Sequence, residues 1–149
     1  MARTIYYADT DEAILACTEA ITALRPHLKE VSILPQIKEM QQEDGYMLIY
    51  VCADDKPDEV AAIAGFRRLN KLLGGKHIYI DDLSCLPRHQ KKGYASDLLN
   101  HIRTLAEQQG LNSVRLTSGH NLAPAHRLYM NHGFFISAHS FMLKLVDNF

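Results

Sequence analysis

Ile78-Tyr79-Ile80-Asp81-Asp82-Leu83-Ser84-Cys85-Leu86-Pro87-Arg88-His89-Gln90-Lys91-Lys92-Gly93-Tyr94-Ala95-Ser96 is the stretch whose reading decides the fold. Residues 77–85 have the β-branched and apolar character of a strand, and Pro87 closes it. From Ala95 the period changes: Ala95, Leu98, Leu99, Ile102, Leu105 and Ala106 trace the apolar stripe of a long helix, which Gly110 fits as a cap. Between strand and helix lies a loop carrying Arg88, His89, Lys91 and Lys92. The first amides of a helix have no partner inside it and sit at the positive end of its dipole. A phosphate or pyrophosphate is the natural occupant of such a place. Gly93 lets the backbone come close, Ala95 keeps the rim low, and Ser96 adds a hydroxyl. Arg88, Lys91 and Lys92 supply local positive charge in front of it.

Working upstream, residues 4–8 form a short strand candidate, and Asp9 and Glu12 have the spacing of a capping box. Ile14, Cys17, Ile21 and Leu24 then recur at helical spacing until Arg25-Pro26. A second amphipathic helix follows Ser32, with Ile33, Ile37 and Met40 on one face, and Gly45 stops it. Residues 46–53 and 60–66 read as strands joined by the polar turn 54–58, and Gly74-Gly75 turns the chain into the strand already described. Downstream, 113–117 is a strand, 124–132 a helix ended by Gly133, and 138–146 a final strand. The predicted order is βααβββαβαβ: an α/β (α+β) domain with a mixed, mostly antiparallel sheet flanked by helices, spanning 1–149.

Composition bounds the function class. Sixteen Lys and Arg against seventeen Asp and Glu leave a net charge of −1, which excludes a nucleic-acid binder working through bulk positive charge. No uncharged apolar run approaches the ~18 residues of a membrane span, and acids at 9, 11 and 12 stand where a signal peptide needs an apolar core. Three scattered cysteines make no disulfide framework, so a cytoplasmic enzyme domain is expected. The eight histidines carry no metal-ligand spacing: His120, His126, His132 and His139 are six or seven apart, and no cysteine pairs with them.

The basic loop is not a P-loop, because its lysines precede the glycine, and one glycine is too few for a dinucleotide fingerprint. Gln90-Lys91-Lys92-Gly93-Tyr94-Ala95 instead resembles motif A of the GNAT superfamily, the general-control-related N-acetyltransferases, in its pattern Gln/Arg-x-x-Gly-x-Gly/Ala. Ala125-His126-Arg127-Leu128-Tyr129-Met130-Asn131-His132-Gly133-Phe134 resembles the end of that family's motif B. The resemblance implies acetyl-CoA as co-substrate, with Gln90, Lys91, Lys92, Gly93, Tyr94, Ala95 and Ser96 around the pyrophosphate. It implies that the main chain of Leu83, Ser84 and Cys85 pairs with the pantetheine arm like an added strand. Tyr129 becomes the acid that protonates the leaving thiolate. The family's Asn near motif B falls one position early, at Asn121, with Leu122 in its usual place.

An amine attacks only once neutral, so a base or an amine anchor is needed. Asp81 and Asp82 resemble the carboxylate pair of the polyamine acetyltransferase branch, with Asp81 slightly preferred. Consecutive strand residues point to opposite faces, so one of the two faces the acceptor cleft and the other the opposite layer. Arg25-Pro26-His27, His120 and His139 are further candidates for the acceptor side. The expected activity is direct acetyl transfer to a primary amine of a small molecule or protein; the resemblance, and not the residues, implies a homodimer through the last strand. Two other readings stay open: a non-catalytic acyl-CoA-binding or sensor domain, and a nucleotide-binding module.

Overall fold

The computed structural model describes residues 2–119 and 122–149, and the chain divides into two units, Met1–Leu116 and Thr117–Phe149. The first unit holds one sheet in the order β1-β2-β3-β4-β5: β1 Tyr6–Tyr7, β2 Met47–Ala53, β3 Lys56–Lys71, β4 Gly75–Cys85 and β5 Ser113–Leu116. Neighbours are antiparallel except β4 and β5, which are parallel. A parallel pair requires a crossover, and α4, Tyr94–Gln108, supplies it. Three helices lie between β1 and β2: α1 Asp11–Ala16, α2 Thr18–Leu24 and α3 Glu30–Glu43. The second unit contains α5, Ala123–Asn131. The fold class is the expected one, a mostly antiparallel sheet flanked by helices.

Three local expectations change. Thr10, not Asp9, caps α1, its hydroxyl accepting from the Ala13 amide at 3.2 Å. The single first helix is broken at Cys17, where the chain tightens to a bond from the Cys17 amide to the Ile14 carbonyl before α2 starts. The final strand at 138–146 does not form: residues 134–149 contain neither helix nor strand. Phe141, Leu143 and Leu145 keep an alternating pattern and are exposed. Alternation makes a strand only when an edge accepts its backbone groups, and residues 138–146 join no ladder among the described residues.

The sheet is buried on both faces, which is why residues 60–66 of β3 are all buried. One face carries Leu48, Ile63 and Leu86 against Ile14, Cys17, Ile21, Ile33 and Ile37 of α1 to α3. On the opposite face, alternation places Ile49, Phe66, Ile78 and Ile80 towards the buried Leu98, Leu99 and Ile102 of α4. The register of β3 and β4 slips once. Gly65 opposes Asp82 and Phe66 opposes Ile80, so Asp81 has no opposite number and forms a β-bulge.

Candidate active site

The loop into α4 takes two left-handed turns, at Lys91 (φ 64) and Gly93 (φ 87). Gly93 is the N-cap and provides no side-chain hydrogen bond to the first turn, which closes through the Asp97 amide on the Gly93 carbonyl at 3.0 Å. No side chain of the N-cap residue closes this helix start, which lies in a loop whose left-handed turns are of the kind that builds anion-binding concavities. Gln90, Lys91, Lys92 and Gly93 are exposed, while Ala95 and Ser96 are half-buried. Lys91 and Lys92 make no ion pair among the described residues. The cation–dipole repulsion of two lysines at a helix N-terminus is relieved only when an anion arrives.

Two residues of this stretch have other work. Tyr94 is 2% exposed, and its hydroxyl accepts from the Asp54 amide at 2.9 Å, so it offers a ligand only its main chain. Arg88 does not join the lysines. It forks onto Glu19 (2.8 and 2.9 Å) and onto Glu59 (3.0 and 3.3 Å). Arg88 first, then the buried His89, hold the Glu59 carboxylate down to about 2. Within the loop, the charge left for a ligand thus comes from Lys91 and Lys92.

The second half of the site is an open edge. β5 pairs with β4 only through His77, Ile78, Tyr79 and Ile80, so beyond Ile80 that side of β4 has no strand partner among the described residues. The Leu86 amide bonds the Ala61 carbonyl at 2.9 Å, which fixes the phase of the ladder. By alternation, Ser84 turns its backbone groups to β3, whereas Leu83 and Cys85 turn theirs outward. Gln90 Nε2 donates to the Cys85 carbonyl at 3.3 Å, consistent with that phase. Burial pushes the Cys85 thiol up, away from the thiolate a nucleophile requires.

Asp81 and Asp82 are both half-buried and both partnered. Arg67 donates to Asp81 from Nε at 2.9 Å and Nη2 at 2.7 Å. Arg25 donates to Asp82 Oδ1 from Nε at 3.2 Å and Nη2 at 3.1 Å, and to the Asp81 carbonyl at 3.0 Å. The Tyr46 hydroxyl donates to Asp82 Oδ2 at 2.7 Å. Tyr46 lies where a Cβ on Gly65 would be, 1.7 Å from its hydroxyl oxygen. Gly65 and Arg67 share a face of β3, so the partners place both carboxylates on that same face. The expectation of opposite faces fails because the bulge at Asp81 adds one residue and resets the alternation. Burial pushes the Asp81 carboxyl up against the opposing pull of Arg67, and burial with the Asp82 charge pushes the Tyr46 phenol well above its ordinary value.

In the second unit, Tyr129 on α5 is half-buried, edge-on to Phe134 at 6.0 Å, and its phenol is pushed up by burial. Burial thus keeps it in the protonated form at neutral pH. Asn121 and His120 lie outside the described residues. His126 Nε2 donates to the Gly119 carbonyl at 2.8 Å. Among the described residues no three His, Cys, Asp or Glu side chains gather as metal ligands. Arg3, Tyr46, Gly65 and Arg67 escaped the sequence reading. Only Gly65 left a mark there, since glycine inside an apolar strand signals a close approach.

A model described as the Acetyltransferase (GNAT) family matches residues 10–134, across parts of both units. An uncharacterized N-acetyltransferase of Bacillus subtilis, YhdJ, is 29% identical over 122 residues, covering 81% of this chain and 84% of its own. The crystal structure of a transcriptional regulator from Bacillus halodurans superposes with a TM-score of 0.82 at 19% identity, covering 96% of this chain and 99% of that one. An aminoglycoside N-acetyltransferase, AAC(6')-Iy, solved with CoA, superposes with a TM-score of 0.78 at 13% identity, covering 97% and 96%.

Proposed function

The chain belongs to the acetyltransferase (GNAT) family and is an acyltransferase, and on that premise we propose that it moves an acetyl group from acetyl-CoA directly to a primary amine. The observation that carries this reading is the conjunction of an α4 start closed by no N-cap side chain, with Lys91, Lys92 and Gly93 exposed before it, and an open β4 edge at Leu83 and Cys85. The first fits a pyrophosphate and the second an amide-bearing arm that adds as a strand. Gln90, Lys91, Lys92 and the main chain of Gly93, Tyr94, Ala95 and Ser96 hold the phosphates; Leu83 and Cys85, rather than Ser84, pair with the arm. On the resemblance alone, Asn121, one position before the family's usual place, also contacts the pantetheine arm.

In this reading the amine nitrogen bonds the thioester carbonyl carbon, and the carbon–sulfur bond breaks. Tyr129 gives its phenolic proton to the departing thiolate. Asp81 and Asp82 anchor the incoming ammonium and take up the proton it sheds. Their arginine and tyrosine partners leave a spare acceptor position on both Asp81 oxygens and on Asp82 Oδ2, and a site near charge neutrality. That balance favours an acceptor with one amine over a polycation. Turnover of acetyl-CoA with a panel of amino acids, peptide N-termini, polyamines and aminoglycosides tests the reading. Asp81→Asn and Tyr129→Phe should each slow it, and rates unchanged from wild type in both variants would remove those roles.

One observation favours the second reading, an acyl-CoA sensor without transfer: both carboxylates already have strong partners. Tight CoA binding with no turnover across the panel would select it. We also propose a single catalytic domain over 1–149, in a cytoplasmic homodimer. Free thiols at Cys17, Cys52 and Cys85 suit a reducing compartment. Eight large apolar side chains exposed between 135 and 149 suit self-association, which sedimentation over a concentration series tests.

A further inference from the structure

Arg3 belongs to no motif, yet it reaches the helix start from the far end of the sequence. Its Nη2 donates to the Lys92 carbonyl at 2.8 Å, and its Nη1 to Asp97 Oδ2 at 2.9 Å. Nε and Nη2 also fork onto Asp54 at 3.0 and 2.9 Å. The guanidinium lies over the Tyr94 ring, 4.0 Å from its centroid, and that ring's hydroxyl takes the Asp54 amide. Arg3 therefore ties together the loop, the first turn of α4 and the β2–β3 turn, with its side chain only 22% exposed. A Cβ on Gly93 would sit 3.4 Å from Nη1, so the tie runs directly beneath the N-cap.

The charges explain what the tie does. Asp97 in the first turn suits an empty helix start, because a carboxylate there complements the dipole. Beside an incoming pyrophosphate the same carboxylate repels, and Asp54 adds to it. Arg3 bonds both, and its own guanidinium is raised first by the bond to Asp54, with Asp97 adding to it. We propose that Arg3 is the positioning residue of the pyrophosphate loop: it fixes the Lys92 carbonyl so that the α4 amides stay presented, and it neutralises Asp97 and Asp54 so that a polyanion can dock. This inference rests on the acetyl-CoA reading of the α4 start.

The test is calorimetry of CoA, and of pantetheine, which lacks the pyrophosphate, with wild type, Arg3→Gln, Arg3→Lys, Gly93→Glu and the double variant Arg3→Gln/Asp97→Asn. Arg3→Gln should weaken CoA about tenfold, as loss of a neighbouring compensating charge does, and raise KM for acetyl-CoA with kcat nearly unchanged. Pantetheine should bind Arg3→Gln and wild type alike. Arg3→Lys, which restores the charge, and the double variant, which removes the uncompensated carboxylate, should each recover much of the loss. A purely structural arginine would give no recovery on removing Asp97. CoA binding to Arg3→Gln equal to wild type, or a loss that persists in the double variant, overturns the proposal. If Gly93→Glu still loses CoA in that case, the acetyl-CoA site stands and only the role of Arg3 falls. Wild type failing to bind CoA overturns both.

Discussion

Gly65 decides whether the carboxylate pair can exist in its observed form. With no Cβ it admits the Tyr46 ring, and Tyr46 in turn donates to Asp82 at 2.7 Å. Gly65→Ala should force Tyr46 aside and lower stability by about 3 kcal/mol, at the upper end of overpacking costs, which chemical denaturation measures. Tyr46→Phe should keep the packing but remove the donor to a half-buried carboxylate, at a smaller cost of about 1–2 kcal/mol. Tyr129 makes the residue-scale prediction for catalysis. Its phenol is raised from 10.0 by burial, so the protonated acid persists through neutral pH and the rate should fall from its deprotonation only above pH 10. Tyr129→Phe should lower kcat while leaving CoA affinity unchanged; an alkaline loss setting in below pH 10 that vanishes in this variant would contradict the raised phenol. Asp81 and Asp82 were legible in the sequence as a pair, but their orientation was not. Strand alternation assumes an unbroken ladder, and the bulge that breaks it depends on the register with β3, a long-range fact no local pattern records.

At the scale of elements, the strand–loop–helix from β4 to α4 was legible because each part has its own local cause. The apolar run makes the strand, Gly93 takes φ 87, and the stripe from Leu98 to Ala106 makes the helix. The tie between loop and sheet was not legible, since Arg88, His89, Glu19 and Glu59 meet from three separate parts of the chain. That tie predicts an acid limb. Glu59 titrates at 4.5 unfolded and about 2 folded, so the unfolded chain takes the proton first as pH falls. The stabilisation is complete above pH 4.5 and is lost progressively towards pH 2. Glu59→Gln should flatten the fall of Tm between pH 5 and 2 relative to wild type; parallel curves would show that the pair contributes nothing. Lys91 offers the opposite experiment. Its φ of 64 is strained for a lysine, so Lys91→Gly should relieve about 1 kcal/mol of backbone strain while weakening CoA through the lost charge. A variant no more stable than wild type would mean that the strain is offset elsewhere.

Across the whole molecule, a net charge of −1 conceals an uneven distribution. Arg3, Arg25, Arg67 and Arg88 each face carboxylates, while Lys91 and Lys92 stand without an ion pair among the described residues. The fold class was readable from element order because a three-strand meander followed by a strand–helix–strand crossover leaves few arrangements open. The last strand misled because its alternation is real but residues 138–146 join no ladder among the described residues. The family match spans residues 10–134 and makes the chain an acyltransferase, and the proposed function places acetyl-CoA at the α4 start. Titrating CoA into wild type and Gly93→Glu by calorimetry, with ATP as a control ligand, tests that placement. Wild type should bind CoA more tightly than ATP, and Gly93→Glu should lose that binding while remaining folded. ATP binding more tightly than CoA, or undiminished CoA affinity in the folded variant, would contradict it.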